Sequence, residues 1–374
     1  MVALAQVFRR FADDYLIAHG ASVLPSHRRA IADILACRTP ALGGHLWRCT
    51  CCSAEVYSYH SCKNRSCPRC HRDQTERWLT AREAELLPCP YFHVTVTVPA
   101  ELRDVLRANQ KDGYAALMKA TAEAIIELAR DKRHVGGTVG VLAVLHTWTG
   151  ELVYHPHAHC LVTGGGVSDD GRDWHPARQK FLVPTRPLAM LVRAKMRAAL
   201  TRRRPDLVLP ETAWQKPWVI HCSAWGDGAE AVLRYLARYV FRVAITEGRI
   251  VGLDADGVTI RHKHRKSGCW RTTRLEAHEF MRRFLQHVLP KGFHKVRYSG
   301  LWHHSRRDHA ARARQLLALD PTRPAAPSPK TDTADVGCDR PAPSPAPEPR
   351  PCPCCKTGHL LHVRKLYPRQ VRGP

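Results

Sequence analysis

The sequence predicts an α+β fold, in which an antiparallel sheet is flanked by helices and preceded by a small zinc-ribbon-like domain. Three observations support this prediction. Residues 91–98 alternate β-branched and other side chains, which is typical of a strand, and a helical pattern follows over about 100–132. Two apolar strand patterns, 139–145 and 157–162, come next and are close enough to pair as antiparallel neighbours. Upstream, within 49–70, two C-x-x-C motifs are separated by fourteen residues.

The composition indicates a globular protein with a polyanionic partner. The chain has 374 residues, is 44% hydrophobic, and carries 58 Lys+Arg against 33 Asp+Glu for a net charge of +25. Nucleic acid is the first candidate partner, and a membrane surface competes with it. An apolar run of about 18 residues is absent, and charged residues interrupt the start, where a signal peptide would be apolar. We therefore expect a soluble, cytoplasmic protein whose clustered cysteines bind metal.

Changes in composition divide the chain into six segments. They are N-terminal helices (1–40), a zinc-binding domain (41–75), a central domain (76–250), a basic C-terminal part (251–318), a Pro-rich disordered linker (319–350) and a short Cys/His tail (351–374).

Further elements are predicted from periodicity and turn residues. They are amphipathic packing helices within 1–36, a helix over 74–87, a surface insertion from residue 168, a helix over 187–202, a strand over 219–223 and an amphipathic helix over 279–285. The helix over 187–202 is rich in Arg and Lys, which indicates a solvated or DNA-facing stretch.

The paired C-x-x-C motifs predict one structural zinc site. Four thiolates at this separation are able to enclose a tetrahedral Zn²⁺ with no open position, and the predicted ligands are Cys49, Cys52, Cys67 and Cys70. Cys62 or His60 could replace one thiol or hold a second ion. The surrounding basic residues are predicted to contact phosphates, and they are Lys63, Arg65 and Arg69.

The C-terminal tail contains a further C-x-x-C motif. Cys352 and Cys355, with Cys354, His359 and His362 nearby, could close a second small zinc site. Half a site completed by another segment, and no site at all, are the alternatives.

Three histidines predict a second kind of metal site. His157 and His159 flank Ala158 in a strand pattern, so both imidazoles project from the same face. His146 ends the preceding strand pattern, and antiparallel pairing would bring it to the same end of the sheet. Thr163 to Gly166 is predicted to end the strand in a turn. Three neutral imidazoles leave open positions on an ion, which suits polarisation of a phosphate oxygen.

A helical pattern after Asp227 carries two tyrosines one turn apart. Tyr235 and Tyr239 lie at the border of the apolar stripe, with Arg238 and Arg242 beside them. Such a pair often serves packing alone. Near a metal site on a basic protein, however, the pair is a candidate for nucleophilic attack on a phosphodiester.

The region 258–314 is strongly basic, with fifteen Lys+Arg and three Asp+Glu. Its densest patch is predicted to bind nucleic acid and contains Arg261, Lys263, Arg265 and Lys266. Trp270, Tyr298 and Trp302 are interleaved with these charges and offer ring faces on which bases could stack.

Five segments carry a family resemblance, in the same order between about residues 40 and 305. They read CKNRSCPRC, LHTW, HPHAHCLVTGGG, RYLARYV and EFMRRFLQHVLPKGFHKVRYSG. Together they resemble the two-tyrosine rolling-circle insertion-sequence transposases of the HUH endonuclease superfamily.

The resemblance implies that the central domain (76–250) is catalytic and has a palm-like antiparallel sheet. It also implies action on the DNA of a bacterial nucleoid. It implies cleavage of single-stranded DNA at transposon ends, with Tyr235 and Tyr239 as nucleophiles, a 5′-phosphotyrosine intermediate, and Mg²⁺ or Mn²⁺ held by His157 and His159, with His146 as third ligand. No small-molecule cofactor is implied. The rival hypotheses are a non-catalytic zinc-ribbon DNA-binding protein and a metal-dependent phosphohydrolase that uses water.

Overall fold

The computed structural model of the chain describes residues 2–70, 72–83, 85–225, 240, 244–264, 267–319 and 350–368. The helices are α1 (Leu4–His19), α2 (Pro25–Ala36), α3 (Arg72–Glu83), α4 (Arg103–Ala108), α5 (Gln110–Arg130), α6 (Thr185–Arg203), α7 (Thr212–Gln215), α8 (Ala277–Leu285) and α9 (Arg307–Ala318). The strands are β1 (Gly44–Cys49), β2 (Glu55–Tyr59), β3 (Tyr91–Thr97), β4 (Thr138–Trp148), β5 (Tyr154–Val167), β6 (Trp174–Pro176), β7 (Val219–Trp225), β8 (Ile250–Leu253), β9 (Gly257–Lys263), β10 (Trp270–Glu276), β11 (Val296–Gly300) and β12 (Leu360–Leu366).

A central sheet organises the molecule. Its strands follow the order β11-β4-β5-β3-β7, with β6 on the far end of β5, and the pairings are antiparallel. The long strands β4 and β5 form a hairpin in its middle. The α+β class with antiparallel sheets and flanking helices, predicted from the sequence, is confirmed.

One face of the central sheet is covered by α5 and α6. Alternate side chains of β3, β4 and β5 point into this layer, because successive strand residues face opposite sides. The buried residues from sheet and helices include Val94, Val96, Ala158, Val162, Leu117, Ile125, Leu188, Val192 and Met196. Burial of each large aliphatic side chain stabilises the fold by about 1.5–3 kcal/mol.

The helix α6 corrects one expectation. Its sequence is rich in Arg and Lys and was expected to be solvated or DNA-facing, but Leu188, Val192 and Met196 are fully buried in the core. Only the opposite side carries its charges, so α6 is an amphipathic cover of the sheet.

The N-terminal helices and the sheet β10-β9-β8 form a second layer with α8. Phe8 and Phe284 pack edge to face, with ring centroids 5.3 Å apart. The β4–β5 turn enters this layer through Leu152, which is fully buried there. Helix α8 begins at a defined cap, since the Glu276 carboxylate accepts hydrogen bonds from the backbone N–H groups of His278 and Glu279.

The glycine run after Thr163 does not end its strand. Strand β5 continues to Val167, because these glycines allow neighbouring segments of the same chain to approach closely. A Cβ on Gly164 would lie 2.7 Å from the carbonyl oxygen of Pro90, and one on Gly165 would lie 2.4 Å from the Trp174 ring.

A third sheet, of order β12-β1-β2, joins the two ends of the chain. Strand β12 pairs antiparallel with β1, from Gly44 opposite Leu366 to Cys49 opposite Leu360. The tail is therefore an integral strand of the N-terminal sheet and not a separate terminal piece. The predicted linker lies outside the described residues, except at its ends.

Candidate metal centres and DNA-contact residues

The three predicted histidines meet at one end of the β4–β5 hairpin. His146 lies directly opposite His157 in the strand register, and the imidazoles of both and of His159 offer ligand atoms within 4.8 Å of one another. Ring centroids of His157 and His159 are 4.7 Å apart, as are those of His146 and His159. The face opposite these rings is the packed core, so the site rests on a rigid element.

Hydrogen bonds orient two of these imidazoles. Nδ1 of His157 donates to the carbonyl oxygen of His155 at 2.6 Å, so Nε2 is the ring nitrogen that has a lone pair to offer to a metal. Nδ1 of His159 lies 3.0 Å from Nε2 of His93 and 3.2 Å from the Thr95 hydroxyl. Such outer partners fix the tautomer and orientation of metal-ligating histidines.

His93 contacts the histidine group, and the sequence patterns did not indicate it. It stacks on His159 with an interplanar angle of 12°, and burial, with a smaller effect of His221, lowers its pKa to about 4. The ring is therefore neutral near pH 7 and is able to accept the Nδ1 proton of His159. The only signal in the sequence is the alternation of the strand, which puts His93 and Thr95 on the same face.

His146 and its strand are supported from the second layer. The His146 ring stacks on Trp148 at a centroid distance of 4.6 Å. Behind this pair, His287 bonds the Thr147 hydroxyl and the carbonyl oxygen of Leu152, both at 3.1 Å. Complete burial lowers the pKa of His287 to about 4. The ring is therefore uncharged near pH 7, and its two hydrogen bonds stabilise the β4–β5 hairpin.

Eight of the fifteen cysteines form two groups of four, which corrects the predicted single ligand set of Cys49, Cys52, Cys67 and Cys70. The first cysteine cluster consists of Cys37, Cys62, Cys67 and Cys70, and the second cysteine cluster consists of Cys49, Cys52, Cys352 and Cys355. Each C-x-x-C motif supplies half of a site, and sequence spacing does not determine which halves meet.

The first cysteine cluster has the dimensions of a zinc site. Its sulfur atoms are separated by 3.4 Å (Cys37 to Cys70), 3.5 Å (Cys62 to Cys70) and 3.6 Å (Cys67 to Cys37). A tetrahedron with Zn–S bonds of about 2.3 Å has edges of about 3.8 Å. Cys37 was not predicted, because it stands alone after α2 without a second cysteine at knuckle spacing.

Comparisons with known proteins identify the family. Residues 7–98 match the family described as "Transposase zinc-binding domain", and residues 140–309 match the family described as "Putative transposase". The chain is 36% identical over 342 residues to "Putative transposase y4qJ" of Sinorhizobium fredii, with 86% of each chain covered. The chain belongs to the insertion-sequence transposase family.

A second relative specifies the type. The transposase is 27% identical over 287 residues to "Transposase for insertion sequence element IS801" of Pseudomonas savastanoi pv. phaseolicola, which covers 72% of this chain and 68% of the relative. The rolling-circle insertion-sequence resemblance drawn from the motifs is thereby confirmed, as is the zinc-binding N-terminal domain. That matched domain includes Cys37. No solved structure matches the chain significantly.

The predicted nucleophiles of the transposase, Tyr235 and Tyr239, lie outside the described residues, as do Arg238 and Arg242. Their roles therefore stay predictions. Among the described helices, none is long and apolar enough to cross a membrane.

Two of the predicted phosphate-binding arginines have roles inside the protein. The Arg65 guanidinium donates to the carbonyl oxygens of Phe293 and Pro290, and burial lowers its pKa. Arg69 forms an ion pair of 2.9 Å with Glu247. Arg65 links the zinc-binding domain to the segment after α8, and Arg69 links it to the segment before β8. Each of the three residues, Lys63 included, is exposed overall.

The basic hairpin β9–β10 presents a ring together with positive charge. Trp270 is 60% exposed, lies opposite Lys263 in the register, and has the Arg261 guanidinium 5.1 Å from its ring centroid. Arg265 and Lys266 lie outside the described residues.

The other two predicted base-stacking rings serve packing. Trp302 stacks on Tyr91 with an interplanar angle of 7° and lies 3.0 Å from the Cβ position of Gly140. The Tyr298 hydroxyl accepts a hydrogen bond from Trp78 Nε1 at 3.3 Å. Trp270 is therefore the most exposed of the three predicted rings, since Tyr298 and Trp302 are half-buried.

Proposed function

We propose that this transposase cleaves single-stranded DNA at transposon ends and transfers the strand through a 5′-phosphotyrosine intermediate, with Tyr235 and Tyr239 as nucleophiles. The observation that supports this most directly is the convergence of His146, His157 and His159 on one face of the central sheet. Three imidazoles bind an ion and leave positions open for a substrate oxygen, unlike a closed four-thiolate site.

The donor set fits a divalent ion. Nδ1 of His157 and His159 faces hydrogen-bond partners, so the opposite ring nitrogens are directed to the shared ligand position. We propose Mg²⁺ or Mn²⁺ there, and imidazole also accepts Zn²⁺. When bound, the ion supplies positive charge that polarises a phosphate oxygen.

The proposed cleavage is an exchange of phosphoester bonds. The phenol oxygen of one tyrosine attacks the phosphorus, its proton passes to solvent, and the bond from phosphorus to the 3′ oxygen breaks. The 3′ oxygen leaves and takes up a proton, which yields a 5′-phosphotyrosine and a free 3′ hydroxyl. An ordinary tyrosine pKa lies near 10, so the phenolate needs stabilisation near pH 7. We propose that Arg238 and Arg242, which are close to the tyrosines in sequence, provide it.

We propose a DNA-contact surface that includes the hairpin β9–β10. Arg261, Lys263 and Trp270 combine positive charge with an exposed ring, which suits a flexible single strand. Lys63, Arg265 and Lys266 would extend it. The proposed substrate places the protein in the bacterial cytoplasm, at the nucleoid when it acts.

The decisive experiment is a test for a covalent adduct. Labelled single-stranded DNA carrying a candidate transposon end is incubated with the protein and Mg²⁺ or Mn²⁺, and the mixture is then denatured and separated by mass. We expect an adduct with the native chain and none after Tyr235→Phe and Tyr239→Phe together. Tyr57→Phe, which changes a half-exposed tyrosine of β2, is the matched control and should leave the adduct.

The rival hypotheses give different products. A phosphohydrolase would cleave the DNA with a free 5′ phosphate and no adduct. A non-catalytic DNA-binding protein would retain the DNA with neither cleavage nor adduct. Either result would reject the proposed chemistry.

A further inference from the structure

We infer that the second cysteine cluster is a structural zinc site shared by the two ends of the chain. Cys49 and Cys52 come from the β1–β2 hairpin, and Cys352 and Cys355 come from the C-terminal tail. The family match to the zinc-binding domain ends at residue 98, so it contains only half of this ligand set.

The sulfur positions fit a tetrahedral ion. Cys49 Sγ lies 3.6 Å from Cys355 Sγ, and Cys52 Sγ lies 3.8 Å from Cys352 Sγ. These separations agree with the edge of about 3.8 Å expected for four thiolates around Zn²⁺. They are far beyond the S–S bond of about 2.0 Å in a disulfide.

The two halves of the second cysteine cluster have the same local backbone conformation. The residue after each second cysteine, Ser53 or Lys356, has a positive φ of 59° or 61°. In each half a backbone N–H two residues beyond the first cysteine donates to its sulfur, at 3.3 Å for Cys49 and 3.4 Å for Cys352. N–H donors directed at sulfur stabilise the thiolate form that binds metal.

The backbone of the first knuckle is also bonded to the segment that follows the second knuckle. The Thr50 N–H donates to the carbonyl oxygen of His359 at 3.0 Å, next to the β1–β12 pairing. Gly358 lies against Cys49, since a Cβ on Gly358 would be 2.6 Å from its sulfur. The tail therefore packs directly on the first knuckle, and two knuckles with a three-stranded sheet make a complete zinc ribbon.

The shared site closes the chain into a loop. Cys49 and Cys355 are 306 residues apart, so a metal that links them limits the freedom of the unfolded chain as a long-range crosslink does. It also anchors the tail, and Arg350 then lies 5.4 Å from the Trp47 ring centroid. Loss of the ion would leave β12 as a short edge strand held by its backbone pairing with β1 and by a few exposed side-chain contacts, such as that of His45 with His362.

Zinc content provides the first test. Zinc per chain is measured by elemental analysis for Cys49→Ser/Cys52→Ser, for Cys352→Ser/Cys355→Ser and for all four changes together. We expect each double variant to lose about one ion and the fourfold variant to lose no more than either, because four thiolates hold one Zn²⁺. Cys354→Ser, which changes an exposed thiol outside the cluster, is the matched control and should keep full zinc.

Other zinc counts would overturn the inference. Full zinc in the tail variant would show that the tail holds no ion. Additive loss in the fourfold variant would show two separate sites. Any ion at the histidine site is common to all variants and cancels in these differences.

A cut in the linker tests sharing without relying on ion counts. A protease recognition sequence is inserted within 325–345 of the full chain, and the cleaved, zinc-loaded protein is separated by size under native conditions. We expect the tail to elute with the remainder and to separate after chelation or in the Cys49→Ser/Cys52→Ser variant. Separation of the tail from the cleaved native chain while zinc is present would contradict the inference, and neither readout depends on DNA cleavage.

Discussion

The histidine site and the cysteine clusters use opposite ways of collecting ligands. The three histidines lie between residues 146 and 159, on two strands that pair with each other, and their backs are fixed by the core of the central sheet. The cysteine clusters draw ligands from knuckles in distant segments, as far apart as Cys49 and Cys355. The histidine site lies on a sheet that we expect to fold without it, whereas the cysteine clusters hold together the segments that carry them.

This difference predicts different consequences of ligand removal. We expect the proposed three-imidazole site to contribute reactivity, and we expect the sheet that carries it to persist without the ion. A closed four-thiolate site has no position for a substrate, and its binding energy is folding energy. Ligand substitutions should therefore separate activity from stability in the two regions.

The largest effect is expected for His157→Ala. This change removes one of the three proposed ligands, and loss of several kcal/mol of charge stabilisation corresponds to about a 10³-fold or larger fall in the cleavage rate. Adduct formation on single-stranded DNA measures the rate. The midpoint temperature of thermal unfolding should stay within a few degrees of that of the native chain, since His157 is only half-buried.

The matched control for this change is His155→Asn. His155 lies on the same face of β5 but outside the ligand group, and its carbonyl oxygen, which His157 uses, is retained. Its activity should stay within a few-fold of native. Equal loss in both variants would show that the strand, and not the metal site, had been damaged.

The second effect concerns stability and is expected for Cys37→Ser. Cys37 is buried in the first cysteine cluster, so this substitution should lower zinc content by about one ion and the free energy of unfolding by several kcal/mol. Elemental analysis and chemical denaturation measure the two quantities. Cys51→Ser, an exposed thiol between two ligands of the second cluster, should change neither. Full zinc in Cys37→Ser would show that Cys37 is not a zinc ligand.

The same contrast explains what the sequence was able to predict. Periodicity indicates which residues of a strand share a face, so the convergence of His146, His157 and His159 followed from the strand patterns. Knuckle pairing is set by tertiary contacts, such as the bond of 2.9 Å from Asn64 to Asp33 of α2, and no local pattern records them. The glycines after Thr163 were misread because close packing and turns both require glycine.

The smallest expected effect tests how the sheet orients its ligands. His93→Phe keeps a buried ring that stacks on His159 but removes the nitrogen 3.0 Å from His159 Nδ1. Loss of such an outer partner lowers metal affinity by about 10–100-fold, so titration with Mn²⁺ should show weaker binding, and higher Mn²⁺ should restore cleavage. Thr95→Val removes the hydroxyl that lies 3.2 Å from His159 Nδ1 and 3.4 Å from His93 Nε2, and it should weaken binding less because the closer His93 nitrogen remains. If excess metal does not rescue His93→Phe, then His93 supports the fold and not the orientation of His159.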